Sequence, residues 1–215
     1  MPPPTPTPTP SLPPITTLPS LPTPRLTKTL DTLFESSPAL HTLILPLLTT
    51  QPFPSYPALI DAIGARMTAL SAQNSTRDRE VLCGILGAHP RLGERRKEGL
   101  SELSRREQGG LDGGVGVGVG VGVGGTEEKK GGGGEEAEAE AEAEAAELRR
   151  LNRVYEEKFP GLRYVVFVNG RPRNVIMQDM RRRIDRGDFE REIEEIIQAM
   201  CDIANDRAKK LENTE

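Results

Sequence analysis

Apolar residues recur at three- and four-residue spacing through most of this 215-residue chain, and that period commits it to helices. Leu30, Leu33 and Phe34 share one face, and Leu40, Leu43, Ile44, Leu47 and Leu48 continue the pattern. Pro46, which lacks an N–H, is expected to kink or end that second helix. Ser55 to Leu70 predicts a cleaner helix with a stripe of Leu59, Ile60, Ile63, Met67 and Leu70. Asn74 and Ser75 offer caps for a helix over Thr76–Leu86, with Val81, Leu82, Ile85 and Leu86 inward. Leu100–Gln108 reads as another short helix, and Leu148, Leu151, Val154 and Tyr155 stripe the segment 148–158. Pro172 opens a helix carrying Val175, Ile176, Met180 and Ile184. A long one follows over Asp188–Leu211, with Ile193, Ile196, Ile197, Met200, Ile203, Ala204, Ala208 and Leu211 inward. The only β-like run is Tyr164–Val168, closed by an Asn169-Gly170 turn. The expected fold is all-α, a single-domain helical bundle.

Two tracts stand outside this pattern. Residues 1–24 hold eleven of the 19 prolines and predict a disordered Pro/Thr-rich tail. Pro3 and Pro6 have the spacing of a ligand for a proline-binding module, but a solvated tail is the plainer reading. Residues 113–146 form a low-complexity insertion, first Gly and Val, then Glu and Ala. Glycine at every second position costs too much chain entropy for a strand. Glu135–Ala146 predicts a solvated helical lead-in to the helix that follows. The helical domain is thus expected over 25–212, interrupted at 113–146. Charge divides in the same way. Segment 109–146 carries a net −7 and the whole chain −4, so the remainder is +3.

That balance excludes a strongly basic nucleic-acid-binding domain. The cluster Arg181-Arg182-Arg183 lacks interleaved aromatics and reads as a solvated helix face. Two cysteines, Cys83 and Cys201, make no disulfide scaffold, and two histidines, His41 and His89, make no Cys/His metal cluster. Both cysteines read as small buried hydrophobes, and His41 as a packed or rim residue. No apolar run is long enough to span a membrane. The amino terminus has no charged-then-apolar signal pattern, and the carboxyl terminus has no Ser-Lys-Leu ending. The expected compartment is therefore intracellular.

His89 lies in Gly87-Ala88-His89-Pro90-Arg91-Leu92-Gly93, directly before a proline and so at a helix end. It titrates near neutral pH and can move a proton, although on its position alone a cap or surface role is the plainer reading. Ser104, Glu107 and Gln108 fall at i, i+3 and i+4 on one helix face. They offer a hydroxyl, a carboxylate and an amide to a small substrate rich in N–H and C=O groups. The same Ser104–Glu107 spacing also makes a capping box.

Taken in order, these motifs resemble the 2-oxo-4-hydroxy-4-carboxy-5-ureidoimidazoline (OHCU) decarboxylases of urate degradation. The family pattern is a His-Pro followed by Leu-Gly, then Ser-x-x-Glu-Gln leading to Gly-Leu-Asp, then Leu-Asn-x-x-Tyr-x-x-Lys-Phe. This chain has His89-Pro90-Arg91-Leu92-Gly93, Ser104 to Gln108, Gly110-Leu111-Asp112, and Leu151-Asn152-Arg153-Val154-Tyr155-Glu156-Glu157-Lys158-Phe159. An extended stretch, Leu162 to Gly170, and a last helix with Ile203-Ala204 and Arg207 complete the set. Arg91 stands where an acidic residue is common, and Leu162-Arg163-Tyr164 replaces a Phe-Pro-Phe.

The resemblance implies cofactor-independent decarboxylation of OHCU to (S)-allantoin, with no metal. It implies His89 and Glu107 as catalytic residues. Pro90, Ser104, Gln108, Leu162, Arg163, Tyr164, Val165, Val166 and Arg207 are implied to contact substrate. The implied partner is a small molecule, with a homodimer possible for the family, neither nucleic acid nor membrane involved, and a cytoplasmic or peroxisomal location. Two other readings fit the same residues: a non-catalytic helical interaction protein on this fold, and a decarboxylase of a related small heterocyclic carboxylate.

Overall fold

A computed structural model describes residues 11–73, 75–93 and 134–212. In chain order its helices are α1 (Thr23–Phe34), α2 (Pro38–Thr50), α3 (Tyr56–Gln73), α4 (Thr76–Leu86), α5 (Gly134–Lys158), α6 (Arg173–Arg186) and α7 (Phe189–Glu212). A 3-10 turn at Ile15–Ser20 precedes them. No strand occurs among the described residues, so the all-α class holds. The short helix expected at Leu100–Gln108 and the Gly/Val run lie outside them. The chain falls into two compact units. One comprises the residues up to His89, Val165–Phe167 and the residues from Asp188 on, and the other Pro90–Tyr164 with Val168–Gly187.

The first unit is organised by α7, which packs against α3, α1 and α4. Every apolar residue of its expected stripe, from Ile193 to Leu211, is buried. The approach of α3 is close enough to need a glycine, since a Cβ on Gly64 would lie 2.8 Å from Cys201 Sγ. Cys201 is buried as expected, while Cys83 is only half-buried. His41 is a rim residue, its Nε2 lying 2.6 Å from Asp31 Oδ1.

Two expectations are corrected in this unit. Helix α2 does not end at Pro46 but continues to Thr50. Leu40, Ile44, Leu47 and Leu48 are buried on both sides of the proline, and their burial outweighs its cost of roughly 3 kcal/mol. The tail reading of residues 1–24 fails from Leu12 onward. Leu12 and Leu18 enter the core, and Tyr56 Oη donates to the Pro13 carbonyl at 2.6 Å. Two leucines and a buried hydroxyl fix this proline-rich piece, which composition alone could not weigh.

In the second unit α5 packs against α6. Helix α5 starts at Gly134 and runs without a break from the Glu/Ala repeat into the motif Leu151 to Lys158. The end of the repeat is tied to α6: Glu144 accepts from Arg173 at 3.0 Å, and Glu147, just beyond it, from Arg181 at 2.7 Å. The apolar stripe of α6 is rotated from the expected one. Ile176 and Met180 are buried with Met177 and Arg183, while Val175 is exposed. The solvated reading of the arginine cluster fails at Arg183, which is buried with its guanidinium 4.7 Å from the centre of the Tyr164 ring. A planar cation stacked on an aromatic face can be buried where a spacing rule predicts exposure. Asp179 also lies 3.8 Å from Arg183 and offsets its charge.

The β-like run is extended but pairs with no strand. Residues 162–168 form a connector that leaves α5 and ends in the Asn169-Gly170 turn, where both residues have positive φ. The turn is closed by Arg171 N–H donating to the Val168 carbonyl at 2.9 Å.

Candidate active site

His89 is delivered by α4. Ser75 caps that helix by accepting from Asp78 N–H, and Leu82, Ile85 and Leu86 bury its inner face. The chain leaves the helix through Gly87, whose N–H donates to the Cys83 carbonyl at 2.8 Å, and Ala88 N–H follows onto Ile85 at 3.1 Å. Pro90 then bars His89 from helical backbone. The result is a histidine only 5% exposed, with Nε2 withdrawn from solvent. The surface reading of His89 is thereby removed.

Burial disfavours the charged imidazolium and pushes the His89 pKa down to about 4. Glu35 opposes the shift and Arg207 reinforces it. Stability should depend on pH accordingly. The folded value lies below the ordinary 6.5, so this contribution is complete above pH 6.5 and is lost as pH falls toward 4. The loss amounts to about 3 kcal/mol. Urea unfolding between pH 7 and pH 4 checks this, and His89→Asn should flatten the profile. An unchanged slope in that variant would assign the pH dependence to other groups.

Glu35 and Arg207 form a buried pair. Arg207 is 1% exposed and Glu35 6%. Arg207 Nη2 donates to Glu35 Oε1 at 2.6 Å, and Nη1 donates to the Thr32 and Leu33 carbonyls, both at 3.3 Å. These are the carbonyls left open at the end of α1, so one guanidinium caps a helix and pairs a carboxylate. Arg207 was legible in the sequence only through the resemblance. Glu35 was missed, because a glutamate after a helix carries no signal of its own.

The residues after His89 are fixed within the second unit. Arg91 Nε and Nη2 donate to the two Glu156 oxygens, each at 2.6 Å. This contact holds the Glu156 carboxyl below its ordinary range. Asn152 Nδ2 donates to the Leu92 carbonyl at 3.0 Å. Gly93 has φ +72 and lies so close to α5 that a Cβ there would come within 2.5 Å of Leu148 Cδ2. The Arg91-Leu92-Gly93 segment and the motif-bearing helix α5 are therefore two sides of one contact. Arg91, the departure from the family pattern, is half of its ion pair.

Of the other expected site residues, Val165 and Val166 belong to the same unit as His89 and Arg207. Val165 is buried and Val166 half-buried. Pro90, Leu162, Arg163 and Tyr164 belong to the other unit. The Tyr164 side chain is committed there: its Oη donates to Asp179 Oδ2 at 2.7 Å, and its ring meets Tyr155 edge-on at 5.5 Å. Burial, with Asp179 alongside, drives its hydroxyl pKa up. Any contact it makes with a small ligand falls to its backbone. Ser104, Glu107 and Gln108 lie outside the described residues. Among the described residues no group of three or more His, Cys, Asp or Glu could hold a metal ion. None of their helices is long and apolar enough to cross a membrane.

No curated protein matches the chain. The family model described as OHCU decarboxylase matches residues 19–116 and 124–209, a gap that opens inside the Gly/Val run. The match enters the proline-rich segment at residue 19 and covers α1 to α7 nearly to the end. With that match over most of its length, the chain belongs to the OHCU decarboxylase family.

Proposed function

We propose that this chain decarboxylates OHCU to (S)-allantoin, without a cofactor, as a step of urate degradation. The observation that carries the reading is the buried His89, held within electrostatic reach of a buried ion pair in a chain of this family. The bond to the carboxylate carbon breaks and carbon dioxide leaves. The electron pair passes into the adjacent ring C=N unit, which serves as the electron sink. With its pKa near 4, His89 meets substrate as a neutral imidazole. It accepts the proton of the neighbouring hydroxyl and returns it, as imidazolium, to one face of the ring. A second proton, taken from water, completes the product. Delivery to a single face sets the (S) configuration.

The remaining roles come from the resemblance. Glu107 is the acidic partner of the histidine. Ser104 and Gln108 hold the ureido and ring amides together with Pro90, Arg207 and the backbone of Leu162, Arg163, Tyr164, Val165 and Val166. Such a set would orient the scissile carboxylate and the ring, and orientation is itself a large part of catalysis without a cofactor.

The test is turnover by purified protein on freshly made OHCU, read as carbon dioxide release and optical rotation of the allantoin. The expected result is (S)-allantoin formed faster than the spontaneous racemic product. Racemic product at the spontaneous rate would favour the non-catalytic reading. Faster turnover of another heterocyclic carboxylate would move the substrate assignment.

A further inference from the structure

We propose that Glu35 is a positioning residue of this site: it fixes the Arg207 guanidinium and supplies the negative charge that balances it at His89. The inference deepens the decarboxylase reading and takes from it only the importance of His89.

The backbone at Glu35 gives the first reason. Its φ of 69° and ψ of 158° fall in a region that is essentially reserved for glycine. A glutamate held there carries strain that glycine would relieve, so its side chain has to compensate. What that side chain does is on view: buried, it receives Arg207 Nη2 at 2.6 Å while Nη1 closes the end of α1. The second reason is placement. Ser37, two residues on, caps α2 and donates to the Gly84 carbonyl of α4 at 3.3 Å, fastening the α1–α2 turn to the helix that delivers His89. Arg207 comes from α7, which packs on both α1 and α4. Glu35 from the α1 side and Arg207 from α7 both act on His89, in opposite senses. With the arginine's charge and without the glutamate's, the buried imidazole would be harder to protonate. With the glutamate's charge and without the arginine's, it would take up a proton more readily.

The chain has only two histidines, so the experiment is direct. Imidazole signals are followed by NMR across pH, with His41 as the internal control. In Arg207→Gln the Glu35 charge acts on His89 without the arginine's opposing charge, and the His89 midpoint should rise by about one unit. In the double variant Glu35→Gln/Arg207→Gln it should fall back toward the unmodified protein. The difference between these two variants isolates Glu35, and identical midpoints would overturn the proposal. Should Arg207→Gln not fold, Glu35→Gln alone decides. It keeps the side-chain shape, and its His89 midpoint should move below that of the unmodified protein; a midpoint unmoved or raised overturns the proposal. The readout needs no turnover, so a protein inactive on OHCU with these shifts intact would overturn the reaction and leave Glu35's role standing.

Discussion

His89→Asn is expected to lower OHCU decarboxylation by about 10²–10⁴-fold while leaving a folded protein. Asparagine keeps a polar side chain of similar reach and cannot take up a proton near neutral pH. The loss should fall on the rate constant more than on apparent substrate affinity, because proton transfer belongs to the transition state. Residual product should be racemic, since protonation in solution has no preferred face. The measurement pairs single-turnover rates and optical rotation with a thermal unfolding curve at pH 7. A folded variant with an unreduced rate would remove His89 from the chemistry.

The largest stability effect is expected at Glu35. Glu35→Ala deletes the partner of an arginine that is 1% exposed and leaves that charge buried. Breaking a buried pair in this way costs about 3–5 kcal/mol. Alanine is as strained as glutamate at φ 69°, ψ 158°, so this variant isolates the loss of the carboxylate. Glu35→Gly loses the same partner but relieves the backbone, and should recover about 1–3 kcal/mol of the deficit. Denaturant unfolding should rank the unmodified protein first, then Glu35→Gly, then Glu35→Ala. Equal stability of the two variants would show that the turn carries no strain.

The contrast between these residues shows what the sequence could reveal. His89 was legible because histidine is scarce here and a following proline marks a helix end. Its burial was not, since nothing in Gly-Ala-His-Pro says which way the imidazole points. Glu35 was invisible because its meaning depends on Arg207, 172 residues away. Arg183 was misread as a solvated charge because its partners, the Tyr164 ring and Asp179, come together only when the connector folds back on α6. The end that Pro46 could have imposed on α2 is absent for a different reason. The proline's local penalty is visible in sequence, and the burial that outweighs it is not.

By itself the sequence determined the helical class, the boundaries of α4 and of the last helix to within a residue or so, and the order of motifs that marks the family. These follow from side-chain period, capping chemistry and proline's missing donor, all local properties of a chain. Only the tertiary structure decided that residues from Leu12 on join the core and that Arg91 clasps Glu156. It alone placed His89 in the reach of a buried Glu35–Arg207 pair. Those are contacts between distant segments, and their energies come from burial and charge pairing that no local pattern records.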